Sequence, residues 1–94
     1  MFFDDLKPNE IDKYGVGVTA GKGRYHFMAS LAEAGQVRQL CLSRYKELNG
    51  LSGKPVTWFD SESRAVQVFR NNKKACHKCL RTIETIELDL FENR

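Results

Sequence analysis

Hydrophobic and polar positions alternate early in the chain. Val16 and Val18 are separated by small residues, and an aromatic run around His26 follows a glycine-rich stretch at residues 21–23. Alternation with a period of two is typical of strands, and closely spaced glycines favour a tight turn. The pattern therefore predicts a β-hairpin that begins near Gly15.

The middle of the chain predicts short elements joined by turns. Residues 30–36 are too few for a stable helix and predict a connector with one helical turn. Residues 37–45 alternate again and predict a strand that directs Cys41 to a defined face. Residues 46–55 are rich in Asn, Gly, Ser and Pro and predict a loop, and residues 56–59 predict the next strand.

Two helices are predicted in the last third of the chain. Residues 60–63 offer N-cap side chains, and the helical spacing that follows continues to Asn71. Val66 and Val68 also alternate, so a strand is the competing interpretation there. Residues 76–91 show hydrophobic positions three or four apart, which predicts a C-terminal helix. Together these elements predict an α+β fold with a short antiparallel sheet.

Composition bounds the organisation of the chain. A length of 94 residues, with 41% hydrophobic and 29% charged residues, is typical of one globular domain. We divide the chain into a lead-in segment, residues 1–14, and a single domain, residues 15–94. We expect Phe2, Phe3 and Leu6 of the lead-in to pack onto that domain. No stretch approaches the roughly 20 apolar residues of a membrane span.

The cysteine count points to reduced thiols. Three cysteines are an odd number, whereas secreted disulfide frameworks usually contain an even one. The first residues also lack the basic start and apolar run of a signal peptide. We therefore expect a cytoplasmic location, where closely spaced cysteines more often hold a metal than a disulfide.

The segment Ala75-Cys76-His77-Lys78-Cys79-Leu80 carries the most chemical information. Two thiolates separated by two residues can reach one tetrahedral ion, and the N–H groups of a helix start favour negative sulfur. A thioredoxin-like redox pair uses the same spacing, but it is expected near an N-terminal βαβ unit. Two ordinary cysteines are the remaining alternative. We predict a metal site with Cys76 and Cys79 as ligands.

A structural zinc site needs four ligands, and few further candidates exist. Cys41 is the third and last thiol of the chain. His77 lies between the two paired cysteines and reaches a shared ion poorly, whereas His26 is free on a predicted strand. We predict zinc bound by His26, Cys41, Cys76 and Cys79, with His77 or water as alternatives for the fourth position. The zinc would stabilise a domain too small for a large core.

Three short motifs carry a resemblance: Tyr25-His26-Phe27, Gln39-Leu40-Cys41 and Lys74-Ala75-Cys76-His77-Lys78-Cys79-Leu80. Across residues 24–84 the chain resembles small His/Cys3 zinc-site domains of bacteria, phages and mobile elements, most of them uncharacterised. It departs from them in having Leu42, and not Gly, after the middle cysteine. The resemblance implies a zinc-stabilised accessory domain.

Charge is segregated along the chain. Residues 13–81 carry 13 Lys and Arg against four acids, whereas residues 1–12 and 82–94 each carry one basic and four acidic residues. A basic body can face an acidic partner such as nucleic acid, although a solvated surface has the same composition. The candidate partner-binding residues are Arg64, Arg70, Lys73, Lys74, Lys78 and Arg81.

No catalytic constellation is recognisable in the sequence. A Ser-His-acid set, a glycine-rich phosphate loop and a paired-carboxylate cleft are all missing, and four protein ligands would leave zinc no open position. We expect a non-enzymatic binding module that binds nucleic acid, with no small-molecule substrate and no membrane partner. The alternative, drawn from the resemblance and the small size, is a phage or mobile-element accessory protein. Such a protein would bind and inhibit a host protein, for example a CRISPR-Cas defence complex or RNA polymerase.

Overall fold

The fold is an antiparallel sheet with two helices after it. A computed structural model describes residues 2–3, 6–19, 23–42 and 45–92, with side chains as far as residue 88. Within these residues the five strands are β1 Lys13–Gly17, β2 His26–Leu31, β3 Gln36–Gln39, β4 Tyr45–Glu47 and β5 Val56–Phe59. The helices are α1 Glu62–Arg70 and α2 His77–Glu92, and short 3₁₀ turns occur at Pro8–Glu10, Ala32–Ala34 and Leu48–Leu51. The predicted α+β class is confirmed.

The predicted hairpin is formed by β1 and β2. The two strands pair antiparallel, with Val16 opposite Phe27 and Gly17 opposite His26. Neighbouring strands of the sheet follow the order β4-β3-β2-β1-β5. Gly21 and Lys22, the expected turn residues, lie outside the described part of the chain. His26 therefore begins the central strand at one end of the sheet.

The strand predicted over residues 37–45 is shorter than expected. β3 ends at Gln39, and the N–H of Leu42 donates to the Gln39 carbonyl at 3.1 Å in the turn that follows. Cys41 therefore lies in this turn and not on a strand, because the chain leaves the sheet before reaching it. Residues 43–44 of the prediction lie outside the described residues, and Tyr45 begins a separate strand.

The later elements match their predictions closely. β5 occupies the predicted residues 56–59, and α2 begins and ends within one residue of the expected helix. Ser61 caps α1 because its hydroxyl accepts the Arg64 N–H at 3.3 Å, which selects helix over the competing strand. In the part of the chain that the structure describes, no helix is both long and apolar enough to cross a membrane.

The main core lies between the sheet and the helices. Phe27, fully buried at its centre, stacks on Phe3 with ring centroids 5.7 Å apart and meets Phe69 of α1 edge-on at 6.0 Å. Phe2 and Leu6 pack at the margin of the same cluster. The expected packing of the lead-in residues is thus confirmed, although β1 already begins inside the lead-in, at Lys13.

The opposite face of the sheet has a smaller cluster. Trp58 is partly buried and packs here beside Met28 and Val37. Its ring lies directly over Gly15, where an added Cβ would be 2.6 Å from the indole. Glycine at position 15 therefore permits the close approach of Trp58 across the paired strands β1 and β5.

Candidate metal centre

Four potential ligands converge at one end of the sheet. His26 is the first residue of β2, and Cys41 follows the last residue of β3 by two positions. Because β2 and β3 are antiparallel neighbours, the start of one lies beside the end of the other. Cys76 directly precedes α2, and Cys79 lies in its first turn. The register of the sheet thus brings distant segments to a single location.

A backbone bridge attaches the Cys-x-x-Cys segment to the sheet. The Tyr25 N–H donates to the Lys74 carbonyl at 2.9 Å, and the Cys76 N–H donates to the Tyr25 carbonyl at 2.7 Å. Asn72 shapes the preceding turn, because its side-chain oxygen accepts the Lys74 N–H at 2.8 Å. These bonds hold Cys76 beside the residue that precedes His26.

The first turn of α2 then orients Cys79. The N–H of Leu80 donates to the Cys76 carbonyl at 3.0 Å, so the helix begins directly after Cys76. Side chains three positions apart lie on the same side of a helix start. Both sulfurs of the motif therefore point toward the end of the sheet.

The ligand atoms are spaced as a tetrahedral metal requires. The Cys41 sulfur lies 3.7 Å from His26 Nδ1 and 3.9 Å from the Cys76 sulfur, and the Cys79 sulfur lies 4.0 Å from His26 Nδ1. All four ligand atoms are within 4.8 Å of one another. An ion bound by sulfur at about 2.3 Å in tetrahedral geometry separates its ligands by about 3.8 Å. The four side chains can therefore hold one metal ion.

Burial makes the cluster costly to ionise without a cation. Cys79 has no exposed surface, whereas His26, Cys41 and Cys76 are partly buried. The Phe27 N–H donates to the Cys79 sulfur and supplies part of the stabilisation that a buried thiolate needs. An isolated buried thiolate would still be strongly disfavoured.

Cys41 and Cys79 differ in how readily they lose their protons. The hydrogen bond from the Cys79 thiol is the largest factor that lowers the pKa of Cys41 to about 3. The same hydrogen bond, followed by burial, raises the pKa of Cys79. One thiolate is thus readily formed, and the next is opposed by its neighbour. A divalent cation would favour full deprotonation because metal ligation requires thiolates.

Sequence reasoning missed two polar residues beside the cluster. Gln39 is buried at 4% exposure, and its side-chain nitrogen lies 2.9 Å from the Cys41 sulfur and 3.2 Å from His26 Nδ1. The Thr19 hydroxyl donates to the Gln39 side-chain oxygen at 2.5 Å. The sequence feature that could have identified Gln39 is its spacing from Cys41, because side chains two residues apart in an extended chain point the same way.

The other candidate ligand is placed elsewhere. His77 is exposed on the first turn of α2, and the described potential ligands that cluster do not include it. The three cysteines form no disulfide bond. Of the two histidines, His26 is therefore the one positioned to share an ion with all three sulfurs.

The six predicted partner-binding residues fall into different surroundings. Lys73 and Lys74 line a cleft of about 330 Å³ together with Gly23 and Arg24. Arg70 pairs instead with Glu87 at 2.6 Å. The remaining predicted residues are exposed: Arg64, Lys78 and Arg81. The structure thus places a further basic residue, Arg24, in the cleft with the two lysines. Arg24 lies far from them in sequence, and the backbone hydrogen bonds of Tyr25 bring the two segments together.

Comparisons with protein-family models, with curated proteins and with solved structures find no match to this chain.

Proposed function

We propose that the chain is a non-enzymatic binding module in which one zinc ion stabilises the fold and a basic cleft beside it binds nucleic-acid phosphates. His26, Cys41, Cys76 and Cys79 would hold the zinc. Arg24, Lys73 and Lys74 would contact the phosphates. The observation that carries the proposal is the direct backbone connection between the metal cluster and this cleft.

The donor set supports zinc. Three thiolates and one imidazole form a common structural zinc site, because zinc combines a tetrahedral preference with affinity for sulfur and nitrogen. A redox pair would need two sulfurs, whereas here a third sulfur and an imidazole nitrogen share the same space. The spacing and chemistry of all four ligands are accounted for together by one ion.

The same donor set argues against catalysis by the metal. Catalytic zinc sites keep a coordination position for water or substrate. Four protein ligands would complete the tetrahedron and leave no such position. The role of the ion would then be to link the end of the sheet to α2.

The cleft supports a phosphate ligand. Its lining residues provide three cations and no carboxylate, and all of these side chains are exposed. The groove along α1 differs, because Glu62 and Glu87 line it together with Arg64 and Arg70. Arginine and lysine contact phosphates through charge and release bound counterions from nucleic acid. The cleft is therefore the stronger candidate for the interface.

The zinc would also fix the shape of this cleft. Arg24 precedes His26 by two residues, and Lys74 precedes Cys76 by the same number. The hydrogen bond from the Tyr25 N–H to the Lys74 carbonyl joins the segment of Arg24 and His26 to the segment of Lys74 and Cys76. An ion bound by both His26 and Cys76 would join the same two segments a second time.

We predict one zinc per chain. Protein purified without added metal should contain about one equivalent by elemental analysis, and native mass spectrometry should show the ion lost after acid and chelator treatment. The matched variant Cys41→Ser should contain much less zinc, whereas His77→Ala should retain a full equivalent. Folded parent protein that contains no zinc would contradict the proposal.

We further predict salt-sensitive binding to nucleic acid. Three phosphate contacts give a slope of about −2.7 for log affinity against log salt on duplex DNA, and roughly −2 on single strands. Fluorescence anisotropy with labelled DNA and RNA over a salt series measures the slope. Failure to bind either nucleic acid at low salt would refute this function. An accessory protein directed at a host protein would then be the alternative, to be tested by a stoichiometric complex with that host protein.

A further inference from the structure

A buried polar pair adjoins the metal cluster without belonging to it. Gln39 and Thr19 are exposed at only 4% and 9%. They come from separate segments, since Gln39 ends β3 and Thr19 follows β1 by two residues. Buried polar side chains are stable when their hydrogen bonds are satisfied, so their arrangement is informative.

The Gln39 amide has a hydrogen-bond partner at each end. Its oxygen accepts the Thr19 hydroxyl, and its nitrogen faces the Cys41 sulfur at 2.9 Å. An amide nitrogen carries two hydrogens and donates, whereas the amide oxygen only accepts. The reversed amide would direct an oxygen at a thiolate and lose that donor. The observed orientation suits a negatively charged Cys41.

Metal binding would leave the Cys41 sulfur as the acceptor for the Gln39 amide N–H. The amide nitrogen lies near both the Cys41 sulfur and His26 Nδ1. Once Nδ1 uses its lone pair to bind a metal, it no longer accepts a hydrogen bond. The Cys41 thiolate keeps lone pairs for hydrogen bonding and remains the acceptor.

We infer that Gln39 is a positioning residue that donates an N–H···S hydrogen bond to the metal-bound Cys41 thiolate, and that Thr19 holds it in place. This inference rests on the proposed zinc site. The hydrogen bond would orient Cys41, which lies in a turn and lacks the support of a strand. It would also stabilise the excess negative charge that three thiolates leave around one divalent ion.

Gln39→Leu is expected to weaken zinc binding about 10-fold to 100-fold, the usual effect of removing a residue that hydrogen-bonds to a metal ligand. Competition with a chromophoric chelator measures the affinity. Gln36→Leu is the matched control, because Gln36 is exposed on the same strand and should leave the affinity unchanged. Thr19→Val should weaken binding in the same direction, and Thr19→Ser should restore it by retaining the hydroxyl.

Cobalt substitution separates hydrogen bonding from general packing. Donation of an N–H to sulfur lowers the energy of the thiolate electrons, so its loss should move the sulfur-to-cobalt charge-transfer band to longer wavelength. We expect this shift in Gln39→Leu and Thr19→Val, and the parent band in Gln36→Leu and Thr19→Ser. A merely structural role for Gln39 would weaken binding without moving the band.

Several outcomes would overturn the inference. Parent-like affinity in Gln39→Leu, or an unshifted cobalt band, would show that the amide does not act on the thiolate. If Gln39→Leu fails to fold, the Thr19 variants decide, and equal affinities and bands for Thr19→Val and Thr19→Ser would refute it. Parent protein that binds neither zinc nor cobalt would instead refute the proposed zinc site.

Discussion

Replacing either Cys76 or Cys79 with serine is expected to abolish the cooperative fold. The binding free energy of a structural zinc is about 10–16 kcal/mol in small zinc domains, whereas net folding stability is typically about 5–15 kcal/mol. Losing a ligand should therefore remove most of the stability. Circular dichroism melting of zinc-saturated protein measures the effect, and chelation of the parent protein should reproduce it.

The two cysteines test whether the ion or the packing is responsible. Cys79 is fully buried in the main core, whereas Cys76 is partly exposed. A metal contribution predicts similar losses for both serine variants, but packing alone predicts a larger loss for Cys79→Ser. His26→Ala should resemble the cysteine variants, and His77→Ala should melt like the parent. A parent protein that melts at the same temperature after its metal has been removed would also contradict a structural ion.

Removing the three cations of the cleft should nearly eliminate nucleic-acid binding. The variant Arg24→Ala/Lys73→Ala/Lys74→Ala loses the counterion release of three phosphate contacts, which predicts a loss of roughly 100-fold to 1000-fold at about 0.1 M salt. The salt slope on duplex DNA should become shallower by about 2.7. Anisotropy titrations at several salt concentrations measure both quantities across unrelated sequences.

A charge-matched variant isolates the effect of position. Lys7→Ala/Lys13→Ala/Lys46→Ala removes the same charge from sites outside the cleft, and both Lys13 and Lys46 lie level with Ser30, four residues along β2 from His26. It should bind almost as tightly as the parent, because distant surface charges are screened by salt. Both variants should fold normally, since exposed charges contribute little to stability. Equal weakening by the two variants would indicate attraction by net charge alone, without an interface at the cleft.

Local patterns in the sequence were enough to predict most elements. The alternation near Val16, the N-cap candidates at residues 60–63 and the spacing of residues 76–91 each involve neighbours within a few positions, and the strand and the two helices that they predict are confirmed. The candidate ligands could also be proposed without a structure, because the chain has three cysteines and two histidines to supply a four-coordinate site. The choice of ligands was narrow because few residues of the chain could bind zinc.

Other features depend on which segments meet in the fold. Alternation continued past Gln39, so it could not show that a turn would remove Cys41 from the strand. The sequence favoured His26 over His77, but the proximity of His26 to the cysteine sulfurs depends on the antiparallel register of β2 and β3. The hydrogen bond between Gln39 and Thr19, and the cleft that Arg24 lines with Lys73 and Lys74, bring together residues distant in sequence. Such contacts are set by strand pairing and by the Tyr25 bridge, which act over distances in the chain that no local pattern encodes.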